Sequence, residues 1–451
     1  MDKTDNSRLF PILSSCWALF LGMALIMLGN GLQASLLGVR AAMEDFGTTM
    51  TGVVMSGYFL GLIFGCKYVP LMVKRVGHIR IFGALASLAS TSILMQAIFV
   101  DPIVWWFMRL VTGYSYAGLY IVAESWLNEA SDNQTRGKVF SFYMLISFGG
   151  LGGGQLLLNA APPSGFELFL IVSLLISLAV IPILVSASKA PQFTVMENTS
   201  IVMLYNVSPV GVVGILISGL VMGTVFGMGP VYATDTGMSV AQVSLFMGTI
   251  ILGGFLFQYP LGWLSDIFGR SKIILLSTIA GACISFLAMR LAGGKNIDVL
   301  FPLVIATFGG FSLSLYALCS VHTNDYLTPI QMVAASGTMV LLSAVGATLG
   351  SPVTAFFMER YGPSSFYGTI SFTLILYAFF TSWRLTRQNR LEKEEQSSFV
   401  MMTATPLSAS LTPDVELKDL KAAIKEEPEA IQSSFEELIK ETGSTMDEKT
   451  E

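Results

Sequence analysis

Twelve stretches of this 451-residue chain are apolar and long enough to cross the roughly 30 Å hydrocarbon core of a bilayer. They run near residues 11–39, 50–73, 79–100, 103–127, 137–160, 166–187, 208–233, 240–265, 273–292, 298–322, 333–357 and 366–384. The expected fold is therefore an all-α membrane protein of twelve transmembrane helices. Charged residues make up only 12% of the chain and mean hydropathy is +0.67, whereas soluble domains carry roughly 25% charge. The first apolar run is too long for a cleavable signal peptide and lacks a small-residue cleavage site. Cys16, Cys66, Cys283 and Cys319 are widely spaced inside apolar runs. They are expected as buried thiols, not as a disulfide framework or metal site.

The net charge of −5 conceals two opposite populations. Residues 1–390 carry a net +4 and residues 391–451 a net −9, so the acidity belongs to a tail. Basic residues also set the expected orientation. With the N-terminus inside, fourteen Lys and Arg fall on cytosolic segments and four (Arg40, Arg290, Lys295, Arg360) on the opposite loops. Both chain ends are then cytosolic, and the membrane is expected to be the cytoplasmic one. The tail has two readings: a solvated, disordered extension, or a docking or regulatory element built on stretches such as Leu417–Ile424.

The two halves repeat. Leu119-Tyr120 and Asn128-Glu129 return as Leu315-Tyr316 and Asn324-Asp325, and Gly150 and Gly154 return as Gly346 and Gly350, all displaced by 196 residues. Gly77-His78-Ile79-Arg80 matches Gly269-Arg270-Ser271-Lys272 with a displacement of 192. The expected organisation is a six-helix bundle over 1–187, a polar cytosolic connector at 188–207, a second six-helix bundle over 208–388, and the acidic tail at 389–451. Duplicated halves imply a solute path at their interface near the bilayer midplane.

An ionisable group inside a span costs roughly 2.5–3.5 kcal/mol on insertion scales, so each one needs a reason. Arg109 in span four either holds an anionic group of a substrate or is neutralised by backbone carbonyls. Glu124 is the one carboxylate well inside an apolar span. It reads as a proton carrier or as a gate element, and it lies roughly 22 Å along the helix from Arg109, too far to pair. His322, late in span ten, is a candidate relay partner for Glu124 or a packing residue. Asn30 and Gln33 share a face of span one, where amides contact ligand or join helices. Tyr58, Tyr120, Tyr232, Gln258, Tyr259 and Tyr316 are further cavity candidates, and Lys67 is expected to snorkel.

The string from Gly262 to Lys272, Gly-Trp-Leu-Ser-Asp-Ile-Phe-Gly-Arg-Ser-Lys, is a short polar hinge between two spans. Gly262 permits close helix approach, Asp266 can pair at a helix end, and Gly269 breaks the helix ahead of Arg270. Its pattern, Gly-x-Leu-x-Asp-x-x-Gly-Arg-x-x-Lys, resembles the loop signature of the major facilitator superfamily. Arg109-Leu-Val-Thr-Gly113 resembles that family's span-four signature, in which the arginine is tied to proton coupling; threonine replaces the usual amide. Glu124-Ser-Trp-Leu-Asn-Glu129 followed by Arg136-Gly137 resembles the YcaD-like branch.

The resemblance implies an inner gate in which Glu129 and Arg136 act with Asp266 and Arg270. The first half departs from it, because Pro70 and Lys74 occupy the places of Gly262 and Asp266. Gly149-Gly150 and Gly153-Gly154 resemble an antiporter glycine motif without its proline; packing is the simpler reading for them and for Gly57, Gly61 and Gly65. The implied function is secondary active transport of a small solute by two rocking bundles, coupled to protons, in a monomer without cofactor, metal or nucleic-acid partner. Rival readings are a multidrug or metabolite efflux antiporter and a transporter-like sensor signalling through the tail. Cytosolic segments carry no nucleotide-binding or catalytic motif, so an enzyme is not expected.

Overall fold

The computed structural model describes residues 14–131, 135–185, 199–291 and 300–386. The acidic tail, most of the connector, Lys295 and the first thirteen residues lie outside these. Twelve long helices account for nearly all of the described chain: α1 Trp17–Met43, α2 Thr48–Val76, α3 His78–Ile98, α4 Pro102–Ala130, α5 Arg136–Leu156, α6 Glu167–Val185, α7 Pro209–Asp235, α8 Val240–Phe268, α9 Arg270–Leu291, α10 Leu300–Asn324, α11 Pro329–Tyr361 and α12 Ser365–Leu385. Eleven are long and apolar enough to cross a membrane. The remaining one, α4, carries Arg109, Glu124 and Glu129 along its length.

Local chemistry marks the helix ends. Asp101 caps α4 by accepting from the backbone N–H of Ile103 (2.9 Å) and Val104 (3.0 Å), with Pro102 occupying the first helical position. Ser239 with Gln242, and Thr328 with Gln331, form capping boxes at α8 and α11. The α2–α3 and α8–α9 connections are single glycines, Gly77 at φ +93° and Gly269 at φ +92°. A side chain is strained at such angles, which explains why both copies of the repeat keep glycine there.

Helix packing repeats with the sequence. In the first half α1 packs on α5 and α6, α2 on α4, and α3 on α4 and α6. The same pairs recur six helices later: α7 on α11 and α12, α8 on α10, and α9 on α10 and α12. Across the halves α2 meets α11 and α5 meets α8, again related by six, with α1 and α7 facing each other. This is the expected arrangement of two six-helix bundles about a pseudo-twofold axis.

Small residues make the close crossings. A Cβ on Gly57, Gly61 or Gly65 would run into the α4 backbone at Trp106, Leu110 and Tyr114. Gly150 and Gly154 sit against α1, and Gly346 and Gly350 against α7. In lipid, where apolar burial gives little drive for helix association, such backbone approach is what holds spans together. Within the region expected as a polar connector, Ile201–Val207 forms a short helix. It is tied to α11 through Thr199, whose N–H donates to the Ala334 carbonyl at 3.1 Å.

One face of the molecule carries the Gly77 and Gly269 turns together with Lys74, Arg75, Arg80, Lys272 and Arg384; we refer to it as the basic face. Toward the opposite, far face the halves meet directly. The Thr49 N–H donates to Glu359 Oε2 at 3.0 Å, Gly52 lies against Ser351 and Ala355, Gly38 against Pro230, and Ser244 Oγ donates to the Gln155 carbonyl at 2.6 Å.

Candidate functional site

Between the halves lies a cavity of about 160 Å³, walled by α1, α2, α4 and α5 of the first half and α7 and α10 of the second. Its polar groups are Asn30, Tyr58, Arg109, Tyr120, Tyr143, Ser147 and Tyr316, and all but Tyr316 belong to the first half. The rest of the wall is apolar, including Phe59, Phe148, Met222, Phe226 and Leu313. The far-face contacts close this space on that side.

Arg109 is 4% exposed, and its guanidinium carbon stands 4.7 Å from the centre of the Tyr58 ring. A desolvated cation–π contact recovers about 2 kcal/mol, less than the roughly 2.5–3.5 kcal/mol cost of placing arginine in a span. Among the described residues no carboxylate pairs with Arg109, and its Nε has no hydrogen-bond partner. Gly113, the other end of the Arg-x-x-x-Gly string, packs against the Tyr58 carbonyl, where any Cβ would clash. The string therefore grips Tyr58 twice: guanidinium over the ring, glycine against the backbone.

Asn30 Nδ2 donates to the Tyr120 hydroxyl at 3.0 Å, joining α1 to α4 inside the cavity. Gln33 is different. It is fully buried, absent from the cavity wall, and neither of its amide atoms is paired. The expectation that it touches solute is corrected by helix geometry. At 100° per residue, Met27, Asn30 and Ala34 fall within roughly a 60° arc, and Gln33 lies about 60° beyond it.

Glu124 is fully buried behind the cavity wall, where the Tyr143 hydroxyl donates to its Oε1 at 3.4 Å. Tyr143 itself lines the cavity and so links Glu124 to it. His322 is also buried, with its ring edge-on to Tyr326 at 5.3 Å and Arg270 nearby. Neither Glu124 nor His322 lines the cavity. Tyr232 stacks on Phe366 at 4.9 Å, Gln258 is buried outside the wall, and Tyr259 is 64% exposed on the outer surface. Sequence reasoning passed over Tyr143 and Ser147; their spacing of four in an apolar span was the available signal.

At the basic face Arg270 is ion-paired with Asp325 and lies 3.3 Å from Asp266. Buried Gly262 closes the last turns of α8, its carbonyl accepting from Ser265 Oγ at 2.6 Å. The expected Glu129–Arg136 clasp is corrected: Glu129 is exposed and forms no ion pair among the described residues, while Arg136 is buried at the start of α5. Asp325, at the repeat position of Glu129, holds the loop arginine instead. In the first half His78 occupies the position of Arg270, and its Nε2 is hydrogen-bonded to Ser125 Oγ at 2.8 Å. Glu129, the α4 acid at the repeat position of Asp325, is exposed.

Two family models match the halves: "Major Facilitator Superfamily" over residues 211–430 and "Sugar (and other) transporter" over 31–202. The chain is 27% identical to the MFS-type transporter YcaD of Escherichia fergusonii over 358 residues, covering 79% of this chain and 92% of that one. The chain belongs to the major facilitator superfamily. Solved members share its fold. The nucleoside transporter NupG superposes with a TM-score of 0.67 at 14% identity, covering 82% of this chain and 98% of that one. A D-xylose-proton symporter does so with a TM-score of 0.64 at 13% identity, covering 85% and 99%. The protein is thus a multi-pass membrane transporter and not an enzyme.

Proposed function

We propose that this facilitator carries a small organic solute across the cytoplasmic membrane by alternating access, driven by protons, with both chain ends in the cytosol. The moving units are the six-helix bundles over 1–187 and 208–388, joined by the 188–207 connector. One observation carries the reading: the cavity with its single arginine lies on the pseudo-twofold seam, walled by both halves and shut toward the far face. A site so placed is exposed alternately as the halves rock about it. Clustered lysines and arginines on the basic face support its assignment to the cytosol. Glu124, buried and reached from the cavity through Tyr143, is the group we assign to carry the proton.

The test uses protein reconstituted into liposomes that enclose a pH-sensitive dye. Solutes that raise the melting temperature of the purified protein are added outside. At least one is expected to exchange across the membrane and to shift internal pH. Stabilising solutes that neither exchange nor move protons would overturn the transport reading.

A further inference from the structure

Resting on that reading of the cavity, we infer that its solute is a small monocarboxylate with an aromatic or branched apolar body, its carboxylate held by Arg109. Arg109 supplies the one full charge in the wall, and that charge is positive, buried and without a carboxylate partner among the described residues. The Tyr58 ring occupies one face of the guanidinium, leaving its edge to form the paired N–H donors that match a carboxylate.

The charge count narrows the anion. Among the described residues no second arginine, lysine or histidine lines the space, so a phosphate ester or dicarboxylate would bring one negative charge that nothing there neutralises. A cation is excluded by like charge. A sugar would need many converging donors and acceptors, and more than half of the sixteen lining residues are apolar. Size narrows it further. A cavity of roughly 150 Å³ accommodates benzene, so about 160 Å³ suits one ring or a short branched chain. Phe59, Phe148 and Phe226 supply aromatic faces for that body. Asn30 and Tyr120, already bonded to each other, add polar atoms in the same wall.

The probes are benzoate, phenylacetate and isovalerate, with benzylamine, benzyl alcohol and inorganic phosphate as counterparts. Thermal unfolding and calorimetric titration are run on the full-length purified chain. Benzoate or phenylacetate is expected to raise the melting temperature in a saturable way, and benzylamine and phosphate are not. Arg109→Gln is expected to weaken carboxylate binding at least tenfold, with Arg109→Lys in between. Should Arg109→Gln fail to fold, Leu313→Trp, which fills the cavity from the second half and leaves Arg109 in place, is expected to abolish binding. The inference is overturned if no carboxylate binds the wild-type protein, if benzylamine or phosphate binds as well, or if either variant binds benzoate unchanged. Counterflow of labelled benzoate in liposomes separates the two readings. Binding without exchange would defeat transport while leaving the anion site standing; exchange of benzylamine instead would do the reverse.

Discussion

Arg270 and Asp325 are ion-paired with both side chains at 1% exposure, and among the described residues no equivalent pair joins their counterparts His78 and Glu129. The second half therefore carries a buried charge pair at its basic face, and at the matching place in the first half His78 is hydrogen-bonded to Ser125.

Removing one partner of a buried ion pair strands the other, at a cost of about 3–5 kcal/mol. Asp325→Asn is thus expected to lower the melting temperature far more than Asp266→Asn, because Asp266 is 33% exposed and water can replace it. Thermal unfolding in detergent measures both. Equal shifts would show that the buried pair is not the stronger of the two contacts.

Glu124→Gln removes the titratable proton while keeping the shape and the Tyr143 contact. Uptake driven by a pH gradient is expected to vanish, whereas exchange of solute at equal pH is expected to persist within a few-fold. Parallel assays in the same liposomes make the comparison, and gradient-driven uptake that survives the change would free Glu124 of its assigned role.

Gly113→Ala pushes a methyl into the Tyr58 carbonyl, and overpacking of this kind typically costs about 1–3 kcal/mol. Because Tyr58 also carries Arg109, the variant is expected to lose both thermal stability and ligand affinity. Gly137→Ala is the control, since open space surrounds that position. Similar losses for both would remove the special standing of Gly113.

Paired cysteines at Thr49 and Glu359, bridged by a short thiol-specific cross-linker, fasten the far-face contact. Exchange is expected to stop on cross-linking and to return with reductant. Undiminished exchange through the bridged protein would mean that this face never needs to open.

Gln33 carries a buried, unpaired amide, and leaving such a group unsatisfied costs roughly 1–3 kcal/mol. Gln33→Met is expected to leave solute binding intact and to raise the melting temperature. A loss of binding would return Gln33 to the site.

The fold was legible because its signals are local and repeated: apolar runs of membrane-spanning length, and Gly77 and Gly269 at matching turns. Arg109, Asn30, Tyr120 and Tyr316 stood out because polarity inside a span demands a reason, and all four do line the cavity. Gln33 misled for the opposite reason. Its reason was sought in the cavity, but sharing a broad helix face with Asn30 does not put it on the narrow arc that faces the seam. The partner of Arg270 was unreadable from spacing alone, since Glu129 and Asp325 occupy the same repeat position. His78 stands where the other half has arginine, and it is Asp325 that Arg270 engages.

The lopsided lining of the cavity has a mechanical result. A passenger gripped by Asn30, Arg109 and Tyr120 travels as cargo on the first half, while the second half acts as a sliding door that meets it mainly with grease. Substitutions on α7 and α10 should then tune turnover, and those on α1 and α4 should tune affinity.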